Sequence, residues 1–364
     1  MSEIVKDEPA THAPPWFSPW PATDLCTVGT CPVCGNAHRT TLYEGLVDNV
    51  FYCAPGKWTS WRCSGCHSAY LDPCPSPTSI YLAYRAYYTH RVVQKQKSDY
   101  AALSPLRKLR RRLVNGYTNW RYSTRENPAS PVGVIVLLAA WPVRIILDQE
   151  YRHLPRLPKG GGALLDLGCG NGSFLGIAQA SGWDAIGADF EPGAVASCQG
   201  RGFKVLVGGI EQFESQERIF DVITLSHVLE HFHDPTRVLR ACHRLLKPGG
   251  QLWLETPNIE SLSHRRYGKN WRGLEPPRHL VLFTEQSLIK ALNLAGLNCV
   301  QRVSRPSPLV WMTKANEAIR QGLPNEADIK LSLAQRLGVW ADRLREVLDP
   351  RLKEFLTVIG TKDL

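Results

Sequence analysis

The 364-residue chain is 43% apolar and 21% charged, the balance of a globular protein with a sizeable core, which excludes a mostly disordered chain. Its net charge of +10 is local: ten Lys/Arg against Asp99 and Glu126 between Arg91 and Glu126 put +8 of it in one segment. Eleven cysteines, seven of them before residue 75, are an odd number in a long chain and argue against a secreted disulfide scaffold.

Residues 1–24 are Pro-rich and polar and read as a disordered leader. They hold no apolar core of a signal peptide, so a reducing cytoplasm is expected. Residues 25–75 form a cysteine lobe. Cys31-Pro-Val-Cys34 and Cys63-Ser-Gly-Cys66 are two C-x-x-C knuckles, each able to aim two thiolates at one ion. Four thiolates leave no open position, so the expected zinc is structural. A redox motif comes singly and opens a helix in a βαβ unit, unlike this pair. Cys26, Cys53 and Cys74 read as packed thiols.

Residues 76–160 read as a connector or lid. A Tyr-rich stretch over 76–100 predicts a helix. Residues 105–117 set Leu106, Leu109, Leu113 and Tyr117 on one helical face among five basic residues, the pattern of a membrane-surface helix or of one packed on a neighbouring domain. The apolar run 131–143 is shorter than the roughly 20 residues that span a bilayer. Burial is the expectation for it, with peripheral membrane contact through 105–147 as the other reading. A linker, 155–162, follows.

From Ala163 short apolar strands alternate with helices: strands at 163–168, 184–190, 204–209, 220–226, 251–257 and 298–304, helices at 173–182, 192–202, 234–250 and 285–297. This is an α/β, doubly wound, mostly parallel sheet over 161–308. Residues 309–364 read as a helical insertion followed by one last strand, 354–360.

The loop after the first of these strands carries the strongest signal. Gly168, Gly170, Asn171 and Gly172 let backbone approach a ligand at the strand's carboxyl end. Asp166 precedes them, and the third glycine of a dinucleotide fingerprint is replaced by Ser173. A carboxylate there suits a cationic ligand, and Asp189 ends the second strand where an acid can hold a ribose diol.

LLDLGCGNGSFL (164–175), GADFEP (187–192), FDVITLSHVLEH (220–231) and LLKPGGQLWLETPN (245–258) resemble the successive motifs of class I S-adenosylmethionine-dependent methyltransferases. The resemblance covers about 163–304. It implies a seven-stranded Rossmann-like sheet with a final antiparallel strand. It places Asp166 and the glycine loop near the methionine moiety, Asp189 at the ribose and Phe190 beside the adenine. Gly209 and Ile210 would lie at the adenine edge, and Ser226 and His227 near the transferred methyl. The cysteine lobe and WTSWRCSGCHSAYLDPCPSP followed by AYRAYYTH resemble bacterial enzymes that methylate sugar nucleotides and related precursors, in which Tyr87-Tyr88 would act as a lid.

His227-Val-Leu-Glu230-His231 matches an inverted zinc-protease pattern, but it starts at a strand's carboxyl end, where a ligand crevice opens. Residues 257–283 resemble the acceptor-lining segment of ubiquinone-type O-methyltransferases. A hydroxyl acceptor needs its proton removed, and His279, then His227, are the candidate bases, with Glu275 as an orienting group. Trp271, Arg272 and Arg278 are candidates to bind a sugar face and an acidic group. The reading is methyl transfer to a hydroxyl or carbon of a small-molecule, glycan-linked or prenyl-type acceptor, anionic groups included. The alternatives are a zinc-ribbon methyltransferase acting on RNA and a non-catalytic binding protein. Oligomeric state is not specified.

Overall fold

The computed structural model describes residues 18–84, 100–303, 305–323 and 328–364. The expected Tyr87-Tyr88 lid and the start of the basic segment, 91–99, lie outside the described residues. The chain opens with β1 (Leu25–Cys26), β2 (Arg39–Leu46), β3 (Trp58–Cys63), β4 (Ala69–Leu71) and β5 (Cys74–Pro75). Three helices follow: α1 (Pro105–Tyr122), α2 (Val132–Ala139) and α3 (Trp141–Glu150). The alternating unit is β6 (Gly162–Leu167), α4 (Ser173–Ala180), β7 (Trp183–Asp189), α5 (Pro192–Gly200), β8 (Lys204–Val207), β9 (Phe220–Ser226), α6 (Pro235–Leu245) and β10 (Leu246–Pro257). It continues with α7 (Leu262–Tyr267), β11 (Val281–Leu282), α8 (Glu285–Leu294) and β12 (Cys299–Arg302). Helices α9 (Leu309–Arg320) and α10 (Leu333–Leu348) then lead to β13 (Phe355–Thr361).

One seven-stranded sheet has the order β12-β13-β10-β9-β6-β7-β8. Strands β10, β9, β6, β7 and β8 pair in parallel, while β13 enters antiparallel between β10 and β12. The doubly wound sheet and its final antiparallel strand are as expected. Near-continuous apolar strands such as Phe220–Ser226 suit a sheet covered on both faces. On one face Leu164, Ala185 and Val222 pack under Phe174, Leu175, Val195 and the aromatic side of α1. On the other, Ile223, Leu252 and Leu254 meet Val238, Leu239, Leu288 and Leu292.

The cysteine lobe is fused to this second face. β11, which lies between α7 and α8, pairs antiparallel with β4 and completes the lobe's sheet, β11-β4-β3-β2. One continuous apolar cluster runs from Trp58 and Tyr70 in the lobe to Leu225 and Leu254 in the large sheet. Trp20, expected within the disordered leader, is packed: it is buried edge-on against Trp58 at 5.3 Å, and its indole N–H donates to the Ser79 hydroxyl at 3.3 Å.

The apolar run 131–143 is not buried as expected. It breaks at Ala140 into α2 and α3, which meet at a bend of 106°. Gly133 and Leu137 face inward, while Val132, Ile135, Val136, Leu138, Trp141, Val143 and Ile146 are exposed. Glycine is required at the crossing with α1, where a Cβ on Gly133 would sit 2.0 Å from the Leu113 carbonyl oxygen. No single helix among the described residues is long and apolar enough to cross a membrane.

Candidate active site

The carboxyl ends of the parallel strands open onto one crevice, the usual ligand position in such sheets. The loop from β6 to α4 turns sharply: Gly168 has φ +70°, and a Cβ there would lie 2.3 Å from the Val228 side chain. Gly170 N–H donates to Asp189 Oδ2 at 2.8 Å, and Glu191 N–H donates to Asp189 Oδ1 at 3.0 Å. Next to Asp189, the Phe190 ring is 61% exposed. A Cβ on Gly209 would come within 2.6 Å of that ring, so Gly209 and the adjoining Ile210 lie against it. The structure thus brings Gly168, Gly170, Gly172, Asp189, Phe190, Gly209 and Ile210 to one stretch of the sheet edge.

Beside it lies a cavity of about 270 Å³, lined by the expected Asn171 and Ser226 and by groups that sequence reasoning missed: Arg152, Trp253, Glu255 and Arg305. The expectation that Asp166 offers its charge to the crevice needs correction. Asp166 is fully buried, and its Oδ1 pairs with the Arg152 guanidinium and accepts from the Thr224 hydroxyl at 2.8 Å. Oδ2 has no partner. Burial pushes the Asp166 carboxyl up, against the pull of Arg152 and Thr224. The group that faces the cavity is therefore Arg152, a cation placed by an acid beneath it, at a turn where Arg152 and His153 both have positive φ.

His227 stands at the crevice with φ +55° and a side chain 34% exposed. Its Nε2 lies 3.2 Å from Glu255 Oε1 and its Nδ1 lies 3.5 Å from Glu230 Oε1. Both acids are buried and themselves anchored. Thr256 donates to Glu230 at 3.0 Å, Thr357 donates to Glu255 at 2.8 Å, and Arg305 pairs with Glu255. Burial alone would raise Glu230, but the His227 hydrogen bond and the charges of His231 and His279 outweigh it and hold it at about 2. Burial and the charge of Arg152 push Arg305 down to about 10. The His227 ring is further fixed edge-on against Phe355 at 4.6 Å.

His279, the first candidate base, is sealed inside. It is 7% exposed, Nδ1–H donates to the Gly273 carbonyl at 2.8 Å, and its ring lies 4.9 Å from that of His231. Burial pushes it down to about 4. The expected anion-binding group is also internal. Arg278 has no exposed surface; it pairs with Asp48 and Glu275 and donates to the Ala83 carbonyl at 2.7 Å, which ties the cysteine lobe to the sheet. Burial works against Glu275, yet Arg272, His279 and Arg278 hold it well below the usual carboxylate range. Trp271 is buried and its N–H donates to Glu354. Arg278 joins the two lobes, and Trp271, Glu275 and His279 are buried beside it, away from an acceptor, while Arg272, paired with Glu275, keeps 14% of its side chain exposed.

The four knuckle cysteines converge. Cys31 and Cys66 sulfurs are 3.6 Å apart, Cys34 and Cys63 3.5 Å apart, and all four lie within 4.8 Å of one another. The Gly65 N–H points at Cys63 Sγ at 3.3 Å. Four thiols with an inward backbone donor are the donor set of a closed tetrahedral metal site. Cys26 and Cys74 also meet, 3.1 Å apart beside His233.

Residues 146–302 match the family model described as a methyltransferase domain. A ubiquinone biosynthesis O-methyltransferase of Pseudomonas aeruginosa (strain UCBPP-PA14) is 39% identical over 124 residues, 32% of this chain and 51% of that protein. One of Xanthomonas oryzae pv. oryzae (strain PXO99A) is 36% identical over 110 residues, 28% and 46% of the two chains. The chain spans about half the length of these curated relatives. Among solved structures, a SAM dependent methyltransferase from Archaeoglobus fulgidus overlays with a TM-score of 0.42 at 23% identity, over 59% of this chain and 91% of that one. The domain match begins in α3, so the cysteine lobe, α1 and α2 lie outside it.

Proposed function

We propose that this chain transfers the methyl group of S-adenosylmethionine to a hydroxyl of a small-molecule acceptor, in the cytoplasm, with a structural zinc ion held by Cys31, Cys34, Cys63 and Cys66. The observation that carries the reading is the Asp189 carboxylate, anchored by the Gly170 N–H and flanked by the exposed Phe190 ring over Gly209. These residues fit a nucleoside: an acid for the ribose diol, an apolar face and a close backbone for the base. Arg152 suits the amino-acid carboxylate of the same ligand. Bound S-adenosylmethionine would supply a methyl group already activated on a sulfonium.

What the protein adds is alignment, exclusion of water and removal of a proton. With Nε2–H donating to Glu255 at 3.2 Å, His227 would take the acceptor's hydroxyl proton at Nδ1, the nitrogen with the longer 3.5 Å approach to its glutamate. Glu230 and Glu255 orient that ring and offset the charge it acquires. The matched relatives named as O-methyltransferases of ubiquinone biosynthesis support an oxygen acceptor of prenyl type. The fused lobe gives the RNA reading no support, because its sheet is completed by β11 and its inner face is core.

Incubation with methyl-tritiated S-adenosylmethionine and either prenylated phenols or sugar nucleotides tests the assignment. Label in the organic extract is expected; label in neither acceptor class would overturn it. Metal analysis of reduced protein should find zinc, lost in Cys31→Ser.

A further inference from the structure

We propose that α1, α2 and α3 form a docking face for an anionic lipid surface, and that this face brings a lipid-carried acceptor to the cavity. The second half rests on the methyl transfer proposed above; the first does not. α2 reads Val-Gly-Val-Ile-Val-Leu-Leu-Ala, apolar on every side, yet Ile135 is 72% exposed and Val132 58% exposed. The exposed run continues across the bend into α3 through Trp141, Val143 and Ile146. A helix that is hydrophobic all round is at home in a core or in lipid, not in water. Neither helix alone is long enough to cross a bilayer, and two short helices bent at 106° can lie in an interface.

The charge around this face selects the occupant. Residues 100–147 hold eight Lys/Arg against Glu126 alone. Arg107, Arg110 and Arg112 are exposed on α1 beside the exposed Leu106 and Leu109. A second copy of the chain in a two-fold contact would set these cations against their own counterparts. An anionic bilayer complements them. The three helices are also tied to one another. The Tyr117 and Tyr122 hydroxyls both donate to Asp148 Oδ1 on α3, at 2.6 and 2.7 Å, and Ser130 N–H donates to the Arg112 carbonyl at 2.9 Å.

α3 links this face to the cavity. Trp141 at its start is exposed, while Gln149 and Glu150 at its end line the cavity, about 12 Å away at 1.5 Å per residue. An acceptor anchored in lipid would thus reach the crevice without leaving the surface.

The test is sedimentation of the full chain with vesicles of equal parts phosphatidylglycerol and phosphatidylcholine, and with phosphatidylcholine alone. Binding to the mixed vesicles is expected, weakened by salt and about tenfold lower in Ile135→Asp/Val143→Asp and in Arg107→Glu/Arg110→Glu. Unchanged thermal midpoints in both variants confirm folding, since all four positions are exposed. A parent chain that stays in the supernatant with both vesicles overturns the proposal. So does a dimer in sedimentation equilibrium that Ile135→Asp/Val143→Asp dissolves while vesicles bind nothing. S-adenosylmethionine binding, measured in parallel, reports separately on the methyl-transfer reading.

Discussion

His227 and His279 share a setting and differ in access. Each has a buried glutamate within 4 Å, and each is held by a further contact. His227 opens to the crevice; His279 lies beneath β11 and the cysteine lobe, in a network with Arg278, Glu275 and Asp48. On the proposed function, the same side chain serves proton transfer in one place and cohesion in the other. Exposure decides which, since a base must reach the proton it removes.

Substitution separates the two roles. His227→Asn is expected to lower kcat by about 100- to 10,000-fold with cofactor affinity unchanged by calorimetry. His279→Asn should lower kcat far less, and an equal loss in both would erase the distinction. In the internal network, Arg278→Met strands Asp48 and Glu275 without their partner and should cost about 3–5 kcal/mol in denaturant unfolding. A loss below about 1 kcal/mol would mean that this pair does not join the lobes.

Acid sharpens the contrast further. His279 at about 4 binds its proton less readily when folded than its ordinary value of 6.5 when unfolded. Its contribution is therefore present above pH 6.5 and is lost as pH falls toward 4, about 3 kcal/mol at most. The fall in unfolding midpoint over that window should be shallower in His279→Gln than in the parent. An equal slope would show that His279 is not buried neutral. The smallest effect is at the cofactor edge, where Asp189→Ala should weaken S-adenosylmethionine binding about tenfold, or about 1.4 kcal/mol, read by calorimetry.

The alternating sheet was legible because its signals are local. Phe220–Ser226 is the strand read from its apolar run, Pro192 starts α5, and the glycine loop fixes the crevice at the end of β6. What escaped depends on distant pairing. Arg278 meets Asp48 across 230 residues, and no spacing in either segment announces it. Arg152 reaches Asp166 through a turn with φ +47° and +52° at Arg152 and His153, residues without the glycine that marks such turns. The run 131–143 announces apolarity but not whether anything covers it. His279 was ranked first because its loop resembles an acceptor segment, and only the β4–β11 pairing shows that the loop is covered.

The most direct test is calorimetric titration of the full chain with S-adenosylmethionine and, separately, with NAD. Saturable binding of S-adenosylmethionine, weakened in Asp189→Ala, and none of NAD is the expected result. Binding of NAD with no response to S-adenosylmethionine would contradict the account.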